Sequence, residues 1–200
     1  MKKTMNAKAM LSISMAIFGT LGVFTRNIAV ASGELALYRA ILAAALILVY
    51  LAVSKQKIDF SGIKKEIPLL LASGMAMGIN WILLFQAYRY TTISVATLSY
   101  YFAPVIVMVV CPLLFKEKLS LKQIVCFIMS TAGLVLITGT AGGGKQDLLG
   151  IAFGLGAALL YATVMLINKF IKGVTGIHRT FIQFLAAVVV LVPYVTLTSG

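Results

Sequence analysis

Long apolar stretches, separated by short islands of charged residues, run through almost the whole 200-residue chain. A helix needs about 20 apolar residues to cross the hydrocarbon core of a bilayer. Seven stretches come close to that length, and they are 9–28, 35–53, 67–86, 93–115, 121–140, 149–167 and 181–198. A backbone inside lipid must satisfy its own hydrogen bonds, so each stretch is predicted to be a helix. The pattern predicts an all-α polytopic membrane protein with about seven transmembrane helices.

The composition agrees with this prediction and excludes an ordinary soluble domain. Hydrophobic residues make up 61% of the chain, charged residues only 11%, and the mean hydropathy is +1.04. The net charge of +12 would also suit a nucleic-acid-binding protein. However, the lysines and arginines lie at the ends of apolar stretches and form no continuous basic face, so we expect no nucleic-acid partner.

The basic residues fall unevenly on the two sides of the predicted bundle. One side carries lysine-rich islands at 2–8, 55–65, 116–122 and 169–179. The other side carries only Arg26, Arg39, Arg89 and Lys145. Because basic loops stay in the cytoplasm, we expect a multi-pass protein of the bacterial inner (plasma) membrane with a cytoplasmic N-terminus.

The chain contains a weak internal repeat. Sliding it along itself brings together Thr20 and Thr163, Thr25 and Asn168, and Arg26 and Lys169. About five predicted helices separate the two copies, an odd number, so the second copy must enter the membrane upside down. Inverted repeats are typical of transporters, with a binding site near the midplane between the halves. We predict a first repeat at 1–140, an external linker at 141–148 and a partial second repeat at 149–200.

The repeat leads to an expectation about the first apolar stretch and to another about the number of helices in the second copy. The first stretch could be a secretory signal, because Lys2-Lys3 precedes it and Ala29-Val30-Ala31 resembles a cleavage site. Its copy is an internal helix, however, so we expect the first stretch to be retained. The second copy holds about two helices where the first holds about five. By symmetry, we expect a fragment or a shortened relative of a longer protein, lacking about three helices.

Three ordered stretches carry a family resemblance. They are Glu34-Leu-Ala-Leu-Tyr38-Arg39, Ser94-Val-Ala-Thr-Leu-Ser-Tyr-Tyr-Phe-Ala-Pro104, and Glu117-Lys-Leu-Ser-Leu-Lys122 running into Gly133-Leu-Val-Leu-Ile-Thr-Gly139. They are similar to the second helix, the fourth helix and the fourth-to-fifth helix junction of the EamA branch of the drug/metabolite transporter superfamily. The resemblance implies ten helices in two inverted five-helix repeats. It also implies export or import of small metabolites, often amino acids, by alternating access.

Polar and aromatic residues at membrane depth are the candidates for a binding cavity, because such groups need partners or water. We select Thr20, Arg39, Asn80, Trp81, Thr97, Tyr100, Tyr101 and Pro104. Plainer roles stay open for several of them. Thr20 could bond to its own helix, Asn80 could bond to a neighbouring helix, and Trp81 could face lipid.

Arg39 and Pro104 carry the most specific expectations. Arg39 lies about one turn after Glu34, where it could form an ion pair with Glu34 or hold a substrate carboxylate in its planar fork. Pro104 removes the hydrogen bond to the Tyr100 carbonyl, so its helix should kink near the midplane. Glu34 and Glu117 are candidate structural or gating residues, although Glu117 lies between two lysines and a local salt bridge is the alternative.

Other chemistry finds little support in the sequence. Gly139–Lys145 matches GxxxxGK, but Gln146 stands where a phosphate-binding loop has Ser or Thr, and no βα unit surrounds it. Two cysteines make no metal site, and membrane enzymes need clustered acids, histidines or cysteines, so we expect no cofactor, no metal and no enzyme. A seven-helix receptor or sensor, a channel or scramblase, and a multidrug efflux transporter of lipophilic cations remain alternatives.

The sequence therefore predicts a small-metabolite transporter, an exporter of amino acids or organic anions that works by alternating access. Its expected partners are the lipid bilayer and a small-molecule substrate, with monomer and homodimer both open.

The charge asymmetry makes a testable prediction of topology. In a variant without native cysteines, Lys145→Cys should react with a membrane-impermeant thiol reagent in intact cells, because linker 141–148 is expected outside. Lys57→Cys should react only after the cells are opened. Labelling at position 57 but not at 145 in intact cells would mean that the topology is inverted.

Overall fold

The computed structural model describes residues 9, 10, 12–14, 16, 17, 20, 30–54, 60–116, 119–140, 145–174 and 176–198. The described elements are α-helices: α1 (Ser32–Ser54), α2 (Phe60–Tyr90), α3 (Ile93–Tyr100), α4 (Ala103–Phe115), α5 (Leu121–Thr140), α6 (Lys145–Phe170) and α7 (Gly176–Thr198). Helix α1 thus corresponds to the second predicted stretch. The first stretch, 9–28, lies mostly outside the described residues, and its described residues are helical.

Five helices among the described residues are long and apolar enough to cross a membrane. They are Ser32–Ser54, Lys64–Tyr90, Ile93–Phe115, Asp147–Phe170 and Gly176–Thr198. The third of these combines α3 and α4, and α5 adds a shorter apolar helix at Leu121–Leu136. The prediction of an all-α polytopic membrane protein is confirmed.

Helix α1 shows how these helices sort their side chains. Its small residues Ala36, Ala40 and Ala44 form a buried stripe along one face. Many of its large apolar residues point outward, as at Leu46 and Val53, which are 62% and 79% exposed, although Leu51 is buried. In lipid an exposed leucine costs nothing, so association between helices depends on close packing of small residues. The core is therefore rich in alanine and glycine, and the outside is rich in leucine and valine.

Helix α2 is the centre of the bundle and packs against α1, α6 and α7. Its closest approach to α7 is at two glycines one turn apart. A Cβ added to Gly74 would lie 2.5 Å from the Cβ of Ala186, and one added to Gly78 would lie 3.2 Å from the carbonyl oxygen of Ala187. Helices on either side of linker 141–148 therefore share one core, with α2 inserted between α6 and α7.

The helix that holds Pro104 is interrupted, as the sequence predicts. The N–H of Phe102 bonds to the carbonyl of Ser99 at 3.2 Å, a tighter turn than an α-helix makes. After the interruption, the N–H groups of Val105 and Ile106 both bond to the carbonyl of Phe102, at 3.0 and 3.1 Å. Pro104 has no N–H to give to the Tyr100 carbonyl, so the ladder restarts at α4.

The Gly74 contact makes a testable prediction of stability. Gly74→Ala should destabilise the protein by about 1–3 kcal/mol, because the new methyl group collides with α7. Gly133→Ala is the matched control, since nothing lies within 4 Å of its added Cβ in α5. The control should be neutral or stabilising by up to about 1 kcal/mol. Thermal unfolding in detergent compares them, and equal unfolding midpoints would contradict the close contact.

Candidate functional site

Arg39 occupies the interior of the bundle on α1. Its Cζ atom lies 4.8 Å from the centroid of the Trp81 ring, which is a cation–π contact. Its Nη1 atom is buried and has no hydrogen-bond partner among the described residues. The guanidinium is also within electrostatic range of the phenols of Tyr88 and Tyr100. The guanidinium thus has a donor that no residue in the described part of the chain uses.

Aromatic side chains from four helices form ring contacts next to this cation. Trp81 of α2 is only 5% exposed and packs on Phe184 of α7, with ring centroids 5.4 Å apart. Tyr100 of α3 is also 5% exposed and packs on Tyr161 of α6 at 5.3 Å. The ring centroid of Tyr101 lies 6.0 Å from that of Tyr100. We call Arg39, Trp81, Tyr88, Thr97, Tyr100, Tyr101, Tyr161 and Phe184 the Arg39 cluster.

The hydroxyl groups in this cluster lie close to one another. The Tyr88 hydroxyl and the Thr97 Oγ1 atom are 3.4 Å apart, a long hydrogen bond between α2 and α3. Tyr101 is 45% exposed, in contrast to its buried neighbour Tyr100. Five of the predicted site residues therefore come together: Arg39, Trp81, Thr97, Tyr100 and Tyr101.

Asn80 lies elsewhere. It is fully buried, and its Nδ2 atom donates to the backbone carbonyl of Ala157 in α6. This is the interhelical bond that the sequence analysis left open. Its Oδ1 atom is buried without a hydrogen-bond partner in the described part of the chain. Trp81, one residue later, faces α1 and α7, since successive helix residues point about 100° apart.

The remaining predicted residues take no part in the contacts that define the Arg39 cluster. Thr20 is exposed and donates to the carbonyl of Ile17 at 2.8 Å, the plainer of its two predicted roles. Pro104 is exposed beside a second cavity of about 360 Å³. Glu34 is partly buried in the first turn of α1. Glu117 lies outside the described residues.

A cavity of about 480 Å³ lies at the end of α2 that carries Arg89. Tyr88 lines it and also belongs to the Arg39 cluster, so the two are adjacent. We call this cavity the Arg89 vestibule, and its lining residues are Val30, Ser32, Leu35, Phe85, Tyr88, Arg89, Tyr90, Thr91, Thr92 and Asp147.

The vestibule carries charges of both signs. Arg89 donates from Nη2 to the carbonyl of Val30 at 3.3 Å. Asp147, in the first turn of α6, accepts a 2.9 Å hydrogen bond from the Thr91 hydroxyl. The cation and the anion thus bond to different partners and border the same cavity.

Sequence reasoning missed three polar residues that the fold places at helix contacts. Asp147 falls in the predicted linker, whereas the structure places it in the first turn of α6, where it lines the vestibule. Gln183 is 5% exposed, and its Nε2 atom donates to Ser73 Oγ at 2.6 Å and to Asn168 Oδ1 at 2.7 Å. Glu66 bonds to the loop between α6 and α7. Two features of the sequence could have indicated these residues. Gln183 is an amide at membrane depth, and Glu66 and Asp147 are two of only five acidic residues in the chain.

The arrangement suits non-covalent recognition. The Arg39 cluster offers one cation, several hydroxyl groups and aromatic walls. Across the described ranges, no group of three or more His, Cys, Asp and Glu residues could hold a metal ion.

Comparison with known proteins identifies the family. The model of the EamA-like transporter family matches residues 6–139. The chain belongs to the EamA-like transporter family. This confirms the resemblance to the drug/metabolite transporter superfamily that the three ordered stretches carry. An uncharacterized transporter of Bacillus subtilis strain 168, YxxF, is 30% identical over 198 residues.

That alignment covers 97% of this EamA-like chain and 63% of YxxF, so the chain spans less than two-thirds of the length of that relative. No solved structure matches the chain.

Trp81 allows a direct optical test of the site in this EamA-like protein, because it is the single tryptophan. Arg39→Ala should increase acrylamide quenching and shift the emission to longer wavelength, since it uncovers the indole face that the guanidinium covers. Arg89→Ala, at the vestibule rim, should leave the emission close to that of the wild type. An unchanged spectrum in Arg39→Ala would mean that Arg39 does not cover Trp81 in the membrane.

Proposed function

We propose that this protein carries small amino acids or organic anions across the cell membrane by alternating access. The supporting observation is Arg39, a guanidinium that stacks on Trp81 and has a buried Nη1 atom to which no described residue offers a hydrogen-bond acceptor. A cation at membrane depth is costly unless an anion or water completes its environment. A substrate carboxylate would supply the missing acceptor in the planar geometry that guanidinium favours.

The rest of the Arg39 cluster would hold the body of such a substrate. Trp81, Tyr100 and Tyr101 provide aromatic surface, and Thr97 provides a hydroxyl group beside the Tyr88 phenol. Small-molecule sites commonly combine apolar walls with a few fixed polar groups. The adjacent vestibule, at about 480 Å³, has the volume of such a site.

The charges of the vestibule favour a zwitterion within this class. Arg89 and Asp147 border one cavity, so a carboxylate and an ammonium group could each approach an opposite charge there. A simple organic anion would use only the arginine. This supports an amino acid as the preferred substrate, with Arg39 as the inner carboxylate site.

The charge pattern of the sequence supports the proposed topology. With the N-terminus in the cytoplasm, the vestibule would lie outside and export would release substrate there. The family match ends at residue 139, next to the expected end of the first repeat at 140, which supports a two-repeat organisation. A bacterial relative supports assignment to the bacterial plasma membrane.

Efflux of lipophilic cations fits the cluster less well. The central charge is the positive Arg39, which repels a cationic substrate. The aromatic faces could still bind a cation, so a direct comparison of the two substrate classes is the sharpest test.

The test measures flux into proteoliposomes of the reconstituted protein with labelled neutral amino acids and with a quaternary ammonium dye. Arg39→Gln should lower amino-acid flux by about 10-fold or more, because a hydrogen bond to a charged group contributes about 1.5–3 kcal/mol. Tyr101→Ala should lower it as well. The amino-acid flux of Arg39→Lys should lie between those of the wild type and Arg39→Gln, since lysine keeps the positive charge but lacks the planar, bidentate guanidinium.

Lys64→Gln is the control, because Lys64 is exposed at the opposite end of α2. It should transport as the wild type does at equal amounts of protein. Movement of the dye without amino acids, or normal flux in Arg39→Gln and Tyr101→Ala, would disprove this substrate assignment.

A further inference from the structure

The end of the bundle opposite the vestibule contains a carboxylate bound by three consecutive backbone amides. Glu66, near the start of α2, accepts on Oε1 from the N–H groups of Lys172 and Gly173, each at 2.8 Å. Its Oε2 atom accepts from the N–H of Val174 at 3.1 Å. Successive N–H groups that converge in this way form an anion-binding nest. Here the anion is a side chain from a distant part of the sequence.

Arg179 holds the nest in shape from the other side. It donates from Nε to the carbonyl of Val174 at 2.9 Å and from Nη2 to that of Ile171 at 3.4 Å. From Nη1 it donates to the carbonyl of Asn168 at 3.3 Å. These carbonyls lie at and just after the C-terminal end of α6, where a cation is favourable. With its carbonyls held by Arg179, the loop presents its N–H groups to Glu66.

A closed layer lies immediately beneath this contact. Leu70, Ile171 and Val174 form a buried apolar cluster. Below it, Gln183 joins Ser73 of α2 to Asn168 of α6 by hydrogen bonds of 2.6 and 2.7 Å. The three helices α2, α6 and α7 are therefore tied together at this end, whereas the other end of α2 opens into the vestibule.

We propose that Glu66 and the backbone of residues 172–174 form a latch that keeps this end closed while the Arg39 cluster is reached from the vestibule. Release of the Glu66 carboxylate from the nest is the step that frees α2 from the loop between α6 and α7. The latch requires alternating access, as in the proposed function, but it does not depend on which substrate is carried.

The latch is suited to reversible opening because Glu66 is partly exposed and two of its three partners, Lys172 and Gly173, are exposed. When Glu66 leaves, water can bond to its carboxylate and to the three N–H groups of the loop. Neither the carboxylate nor the N–H groups then lack a hydrogen-bond partner. A deeply buried ion pair would not separate so readily. One carboxylate holds all three bonds, and a single side-chain movement therefore breaks them together.

The first experiment measures opening without any substrate. In a background of Cys111→Ser and Cys126→Ser, Ser73→Cys places a thiol at a fully buried position beneath the latch. The vesicles present the Glu66 end to a membrane-impermeant thiol reagent. Glu66→Gln and Glu66→Ala should speed the labelling of position 73 by about 10-fold, since charge-assisted hydrogen bonds are lost.

Lys65→Gln is the matched control, because Lys65 is the exposed neighbour of Glu66 and its replacement also changes one charge. Its labelling rate should equal that of the background protein. Unchanged labelling in both Glu66 variants, or an equal increase in Lys65→Gln, would overturn the latch. Because no substrate is present, this result is separate from success or failure of the amino-acid assignment.

A second measurement uses the wild-type protein, so it does not depend on how a variant folds. Hydrogen exchange followed by mass spectrometry reports on the amides of residues 172–174, which lie outside the helices. They should exchange slowly although they belong to a loop, and about 10-fold faster in Glu66→Gln. Exchange in the wild type at the rate of an open loop would also overturn the latch.

Discussion

Close approach of helix α2 to its neighbours is the constraint on which the rest of this structure depends. Lipid offers no hydrophobic force between helices, so they associate where small side chains allow backbones to meet. Gly74 and Gly78 let α7 approach α2, and Gly154 lets α6 approach α3, where an added Cβ would lie 2.7 Å from Ser99. The positions of Trp81, Glu66 and Gln183 relative to their partners all follow from this packing.

The same packing explains how a chain with so few charges places polar groups inside a membrane protein. Asn80 bonds to α6, Gln183 bonds to α2 and α6, and Arg39 stacks on the Trp81 ring. The contacts of Asn80 and Gln183 are hydrogen bonds between helices, and they fix the relative register of those helices. Arg39 differs in carrying a full positive charge, and its buried Nη1 atom has no hydrogen-bond acceptor among the residues that the structure describes.

The two ends of α2 differ in how they contact the rest of the protein, so the bundle is asymmetric along this helix. At the Arg89 end, α2 borders a cavity of about 480 Å³ lined by charges of both signs. At the Glu66 end, α2 is joined to the loop after α6 by three hydrogen bonds to one carboxylate. The proposed carrier function and the proposed latch both rest on this difference between the two ends.

The sequence by itself determined the class of the protein, because hydropathy and segment length depend only on local composition. Most helix positions, the interruption before Pro104 and the family all followed from it. It also placed Arg39 and the aromatic residues at membrane depth. The tertiary structure alone decided which of them meet. Trp81 and Asn80 are adjacent in sequence, yet the first faces Arg39 and the second faces Ala157, because helix rotation sets the direction of each side chain. Glu66 and the loop at 172–174 are more than a hundred residues apart, so only the packing of α2 between α6 and α7 could bring them together.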